Sequence, residues 1–395
     1  MKKNYLKITA GVMSSAMLIG LCAAGVPAKV IAATEHWNDA SASATQWNQW
    51  KNNWNTYSSN YEHVSLTPGA DQTQLNLAWY SHTTETPAVR IATKQNMDGA
   101  KEFVGTQTEA VTIDGVKYFS NKATVKGLKE NTKYYYQVFQ NGKWQDAETY
   151  TTKSFDSFSF LYVGDPQIGA SKNQTSTEQE KMVSAGNEVS SAAKDNLAAR
   201  NDGYNWNNIL NDAVKDHEDV SFIVSAGDQV NAGKNEREYA AYLGADALAS
   251  LPVATTIGNH DSVSNQYTLH FNNPNAFSDK DANYIQGKTE AGTDYYYRYG
   301  NTLFMVLDTN NYNCATHENV MKKAISENKD AKWRIVVFHQ DIYGSGYDHS
   351  DSDGMVLRTQ LTPLMDKYDV DVVLQGHDHT YSRTYQLQGD GKSHT

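Results

Sequence analysis

Apolar and polar positions follow two different rhythms along this chain. Over residues 61–152 the period is two. Gln74-Leu-Asn-Leu-Ala-Trp-Tyr and Ala88-Val-Arg-Ile-Ala alternate, and turn dipeptides recur at Pro68-Gly69, Asp98-Gly99, Asp114-Gly115 and Asn141-Gly142. That combination predicts short half-buried strands joined by tight turns, an all-β sandwich over 61–153. From about Phe155 the rhythm changes to short continuous apolar runs separated by stretches of helical spacing. Ile209, Leu210 and Val214 predict a helix over 206–217. Tyr239, Tyr242, Leu243 and Leu248 predict another over 236–249, and 320–326 and 361–368 add two more. Tyr295–Tyr299 and Thr302–Leu307 read as a hairpin of strands about Gly300. Strand–helix alternation over 154–395 predicts an α/β (α+β sandwich) domain of two mixed sheets flanked by helices.

Two stretches stand outside this scheme. Residues 34–60 are polar and carry four Trp, of which Trp47, Trp50 and Trp54 share one face of a helix. They predict an amphipathic helix docking on the next domain. The alternative is an aromatic platform for contact with a sugar or a cell surface. Residues 170–203 are polar without a strong period and read as an insertion or lid.

The chemistry sits at the ends of the apolar runs. Five of them stop at polar residues: 158–163 at Gly164-Asp165, 220–226 at Gly227-Asp228, 251–257 at Gly258-Asn259-His260-Asp261, 334–338 at His339, and 370–375 at Gly376-His377-Asp378-His379. Groups carried at the carboxyl ends of buried strands converge on one crevice. A set of Asp, Asp, Asn, His, His and His delivered that way predicts a two-metal hydrolytic centre. An isolated Gly-Asp is usually a turn and an isolated His a core residue, so the prediction rests on the combination. His36, His63, His82, His217, His270, His317 and His394 belong to no such run and read as surface or local structure.

Composition narrows the setting. The chain of 395 residues has a net charge of −11. Residues 1–33 hold four Lys and no acid, so the remainder carries 30 basic against 45 acidic residues. That acidity argues against nucleic acid as a structural partner, which needs a basic face. Lys2, Lys3 and Lys7 precede an apolar stretch from about Ile8 to Val26, followed by Ala28, Ala32 and Ala33. Residues 1–33 therefore read as a signal peptide of a secreted or extracytoplasmic protein, with cell-surface contact through the Trp-rich segment as a further reading; a retained anchor is the alternative. No later stretch is long and apolar enough for a membrane span. Only Cys314 remains after residue 33, so no internal disulfide is expected, and this thiol reads as inert.

The ordered set Gly164-Asp165, Gly227-Asp228, Gly258-Asn259-His260-Asp261, Val336-Val-Phe-His339 and Gly376-His377-Asp378-His379 resembles the calcineurin-like metallophosphoesterases. With a β-sandwich in front it looks most like a purple acid phosphatase. In the sandwich, Leu128, Thr132 and Tyr134-Tyr-Tyr-Gln-Val resemble the corner of a fibronectin type III domain. The resemblance implies two ions, of Fe, Zn or Mn, with Asp228 as the shared carboxylate. It implies Asp165 and His379 as further ligands of the first ion, and Asn259, His339 and His377 of the second. It also implies in-line hydroxide attack on a phosphate monoester, with His260 protonating the leaving group and Asp261 orienting that imidazole. A phosphodiesterase or nucleotide hydrolase on the same centre, and a non-catalytic surface protein on a decayed scaffold, are the alternatives.

Three departures qualify this. Asn231 stands where the purple enzymes have Tyr, which removes a phenolate ligand and leaves Asn231 as a substrate contact. Gln167 stands where many relatives have His; it reads as a weak ligand, a water contact, or the cause of a loosely held first ion. His349, in a polar loop, is a further candidate substrate contact. Sixteen residues follow His379, whereas the family pattern leads one to expect more strands, so the domain over 154–395 is expected to be incomplete at its C-terminus.

Overall fold

The computed structural model describes residues 44–174, 190–277, 293–344, 346 and 353–388. The expected signal peptide and His349 lie outside the described residues. No helix among those described is long and apolar enough to cross a membrane.

The elements run α1 (Ala44–Ser58), β1 (Ser65–Pro68), β2 (Gln74–Ser81), β3 (Ala88–Ala92), β4 (Lys101–Val104), β5 (Thr106–Ile113), β6 (Val116–Lys126), β7 (Lys133–Gln140), β8 (Lys143–Trp144), β9 (Glu148–Thr151) and β10 (Ser159–Val163). They continue with α2 (Ser191–Asp216), β11 (Val220–Ser225), α3 (Glu236–Leu243), β12 (Val253–Thr255), α4 (Gln266–His270), β13 (Tyr295–Tyr299), β14 (Thr302–Leu307), α5 (Cys314–Glu327), β15 (Trp333–Phe338), α6 (Asp353–Lys367) and β16 (Val372–Leu374). The first nine strands form two antiparallel sheets, ordered β1-β2-β6-β5 and β4-β3-β7-β8 with β9 on β7. Leu66, Leu75, Leu77, Trp79, Val89, Ile91, Val125, Tyr136 and Val138 fill the space between them. The alternating residues of β7 thus bury one face, as their period requires, whereas β2 is buried on both faces. At the corner, the Tyr134 hydroxyl accepts the Lys129 N–H at 2.8 Å, pinning the turn into β7.

The α/β part is layered. β10-β11-β12 is parallel throughout, while β13-β14-β15-β16 is mixed, with β13 antiparallel to β14. Phe222, Val224 and Ala254 of the first sheet pack against Tyr295, Tyr297, Phe304, Val306, Ile335 and Val337 of the second. The outer face of the first sheet is covered by α1, α2 and α3, and that of the second by α5 and α6. The four-layer arrangement explains why the central strands read as continuous apolar runs: both faces are buried.

Three expectations change here. The polar stretch 170–203 is not a free insertion over its described residues. α2 begins at Ser191, its N-cap Ser190 accepting the Ala193 N–H, and Ala198, Ala199, Arg200, Asn201 and Gly203 are buried. Small and polar side chains gave this half of the helix no apolar stripe to read. The Trp helix forms, but it docks on α2 and α3 instead of on the sandwich that follows it in sequence. Trp50 and Trp54 are buried, donating to the Arg200 carbonyl (2.8 Å) and to Asn196 Oδ1 (2.9 Å). These two rings are therefore unavailable as a surface platform. Truncating a buried Trp costs on the order of 3–5 kcal/mol, so α1 belongs to the α/β core. Finally, two histidines outside the motifs are buried against carboxylates: His270 beside Glu236 (2.7 Å) and His317 beside Asp294 (2.8 Å). Burial opposes a charge on His317, but Asp294 outweighs it and lifts the ring to about 9.

The sandwich and the α/β layers meet through backbone carbonyls. Asn76 Nδ2 donates to the Asn272 carbonyl (2.7 Å), Ser120 Oγ to that of Leu269 (2.7 Å), and Tyr136 Oη to that of Ala249 (2.8 Å). His63 sits in this seam with Nε2 shielded from water and without a partner. Burial, reinforced by His270, lowers its pKa from 6.5 to about 4. The unfolded chain then binds a proton that the folded chain refuses. Stability is accordingly full above pH 6.5 and declines as pH falls from there toward about 4. Thermal melts between neutral pH and pH 4.5 are expected to show this slope, and His63→Phe to flatten it; an equal slope in the variant would refute the assignment.

Candidate metal centre

Parallel pairing sends the carboxyl ends of β10, β11 and β12 one way, and those of β14, β15 and β16 likewise. Each end turns sharply. Asp165, Gln167, Asp228 and His377 all hold positive φ, at 55°, 39°, 50° and 71°. A non-glycine residue in that region costs of order 1–3 kcal/mol, and such residues gather where a site over-determines them. Gly258 is required by close approach: a Cβ there would collide with Asp228 Oδ1.

The ends converge. Asp228, His339 and His377 each bring one ligand atom within 4.8 Å of the others. His339 is fully buried, and its Nδ1 faces the Ala226 carbonyl at 2.9 Å. That carbonyl can only accept, so Nδ1 carries the proton and Nε2 presents a lone pair. Around Nε2 lie Asn259 Oδ1 (3.0 Å), Asp228 Oδ2 (3.2 Å) and His377 Nδ1 (3.2 Å). Lone pairs converging from a carboxylate, an amide oxygen and two imidazoles call for a positive centre among them, and this donor set suits Zn, Fe or Mn. The residues present therefore fit a metal ion.

The electrostatics show the same demand for positive charge, met without an ion by a second proton on His339 that a bound cation would displace from Nε2. Burial opposes charge on His339, but Asp228 and then Asp165 outweigh it and raise the ring to about 9. Burial also pushes the Asp228 carboxyl up, yet His339 and His260 win and hold it below the usual range. Burial lifts Asp165 to about 6 against the pull of His339. Both Asp165 oxygens accept the His377 N–H at 3.0 Å, which joins the first sheet to the second across the centre.

Other predicted residues fall elsewhere. His377 and His379, two positions apart, would share one side of an extended segment. The positive φ of His377 bends it instead, so the His379 side chain is 60% exposed and stands 3.8 Å from Asp165 at the rim. Gln167 turns to His260: its Nε2 lies 2.8 Å from His260 Nε2 and 3.4 Å from Asn231 Oδ1. The other ring nitrogen, His260 Nδ1, faces the Asn231 carbonyl at 2.7 Å. The expectation that Asp261 orients this imidazole is therefore corrected. Asp261 is buried and accepts the N–H groups of Gly258 (2.9 Å), Gln229 (3.1 Å) and Val230 (3.3 Å), so its oxygens clamp the two strand-end loops together. Burial, then Asp228, raise its pKa to about 8. Sequence reasoning also passed over Asn310, although a sixth apolar run, 302–307, ends in Asp308-Thr309-Asn310 in the same manner as the other five.

Comparison with known families decides the class. The model of the family described as calcineurin-like phosphoesterase matches residues 158–381, more than half of the chain. The chain belongs to this family. The calcineurin-like part is preceded by a match to the N-terminal domain of purple acid phosphatases over residues 61–152. Two uncharacterized proteins of Mycobacterium tuberculosis are each 37% identical to the chain over 57 residues, 14% of this chain and 11% of theirs. Purple acid phosphatase PPD1 from yellow lupin (Lupinus luteus) seeds has a similar fold, with a TM-score of 0.55 at 15% identity, covering 81% of this chain and 58% of that one. The chain thus spans little more than half the length of the lupin enzyme. Membership of a calcineurin-like metallophosphoesterase family implies divalent metal ions, in accord with the cluster at Asp228, His339 and His377.

Proposed function

We propose that this chain is an extracytoplasmic phosphoesterase that hydrolyses phosphate monoesters at a dinuclear metal centre. The observation that carries the reading is the convergence of Asp228, Asn259, His339 and His377 at the strand ends of two sheets, in a chain of the calcineurin-like phosphoesterase family. In this reading Asp228 would help to hold both ions. Asn259, His339 and His377 complete one site, and Asp165 and His379 begin the other, with Gln167 outside both. Residues 1–33 are the secretory signal, 61–153 the sandwich that buttresses the centre, and 154–395 the catalytic domain.

Bound ions supply Lewis acidity toward the phosphoryl oxygens and an activated water. The chain's own groups do the rest. Asp165 and Asp228 hold negative charge where the ions sit, and the buried His339 is locked in one tautomer by Ala226. His260 lies beside the centre, outside the proposed ligand set, with its Nε2 engaged by a reversible partner. The Gln167 amide donates to that nitrogen when it is bare and, rotated, accepts from it when it is protonated. That suits a group which delivers a proton to a leaving alkoxide. Elemental analysis, joined to hydrolysis of a chromogenic aryl phosphate with Mn, Zn or Fe, tests the reading. Two equivalents of metal and turnover are expected; no hydrolysis with any of the three would end it.

A further inference from the structure

Three amides beside the centre, none of them a proposed ligand, form one chain. Asn310 follows β14, Gln340 follows His339 at the end of β15, and Gln375 precedes Gly376-His377 at the end of β16. Asn310 Nδ2 donates to the carbonyls of Ile257 and Gly258, both at 3.3 Å, and to Asp308 Oδ1 at 2.9 Å. Its Oδ1 accepts Gln340 Nε2 at 3.0 Å. The Gln340 carbonyl in turn accepts Gln375 Nε2 at 3.0 Å, and Thr309 Oγ1 donates to Gln340 Oε1. Ile257 and Gly258 follow β12 in the three-stranded sheet, whereas Gln340 and Gln375 belong to the four-stranded one. Asn310 therefore spans the seam between the sheets. Each anchor point is next to a proposed ligand: Gly258 to Asn259, Gln340 to His339, and Gln375 to the turn that carries His377.

We propose that Asn310, through Gln340 and Gln375, is a positioning residue that holds Asn259, His339 and His377 in mutual register. An amide is needed because the position must donate to one sheet and accept from the other, which neither a carboxylate nor an alkyl group does. Partners one step removed from a metal orient its ligands, and their loss costs about 10–100-fold in affinity or activity. The inference rests on reading the cluster as a metal site, so its test starts from the metal affinity of the wild-type chain.

Manganese binding is measured by calorimetry on wild type, Asn310→Asp and Gln375→Leu, together with the melting temperature of each after chelation. Asn310→Asp keeps the shape but sets an acceptor against the Gly258 carbonyl and Asp308. It is expected to weaken binding about 10–100-fold while the chelated melting temperature stays near wild type, a split that a merely structural role would not produce. Gln375→Leu, at a half-buried position, is expected to weaken binding in the same direction and decides the matter if Asn310→Asp does not fold. Affinities within twofold of wild type in the folded variants would overturn the inference. Absence of binding by the wild type would instead overturn the metal reading itself.

Discussion

Replacing Asp228 with Asn is expected to remove bound metal and to lower hydrolysis of an aryl phosphate by on the order of 10³-fold, the upper end of what one preorganised charged group contributes. Asp228 is buried, and its oxygens are shared between the His260 N–H (2.9 Å) and His339 Nε2 (3.2 Å). It is also the carboxylate whose charge the surrounding imidazoles stabilise, so it is ionised at neutral pH. The amide retains the hydrogen bond from the His260 N–H, so the loop should hold. What it lacks is the negative charge that would attract a cation to the cluster. Metal content by elemental analysis and rate must fall together; a variant with full metal and full rate would remove Asp228 from the centre.

Replacing His260 with Ala should separate these two readouts. The ring sits beside the cluster without belonging to it, its nitrogens engaged by Gln167 and the Asn231 carbonyl. A general acid contributes about 10²–10⁴-fold. The expected result is a loss of kcat in that range with metal content unchanged. The loss should be smaller for an aryl phosphate with a good leaving group, which needs no proton, than for an alkyl phosphate. Equal losses on both substrates would mean that the imidazole supports the loop and transfers no proton.

The elements with strong patterns were legible from the chain. All five apolar runs became strands with Asp165, Asp228, Asn259, His339 and His377 at or just beyond their ends, and the tyrosine hairpin formed as read. The failures have physical causes. Asp261 adjoins His260 in sequence, and adjacency suggested a working pair. Backbone turning at the loop sends the two side chains to opposite sides, one inward to a ring of N–H groups and one toward Gln167. His377 and His379, two apart, would face one side of an extended strand, a period that the left-handed His377 breaks. The upstream half of α2 lacked a stripe because Ala and Asn fill its buried face.

Sequence alone determined which residue types stand at the ends of buried strands, and hence the family. That information is local: a run of Val, Ile and Phe must be buried, and whatever follows must leave the sheet. Tertiary structure alone decided which nitrogen of the neutral His339 ring carries the proton, that Gln167 serves His260, and that Asn310 ties two sheets beside Asn259 and His339. Those are contacts between groups tens to hundreds of residues apart, set to tenths of an ångström by packing, and no spacing along a chain encodes such distances.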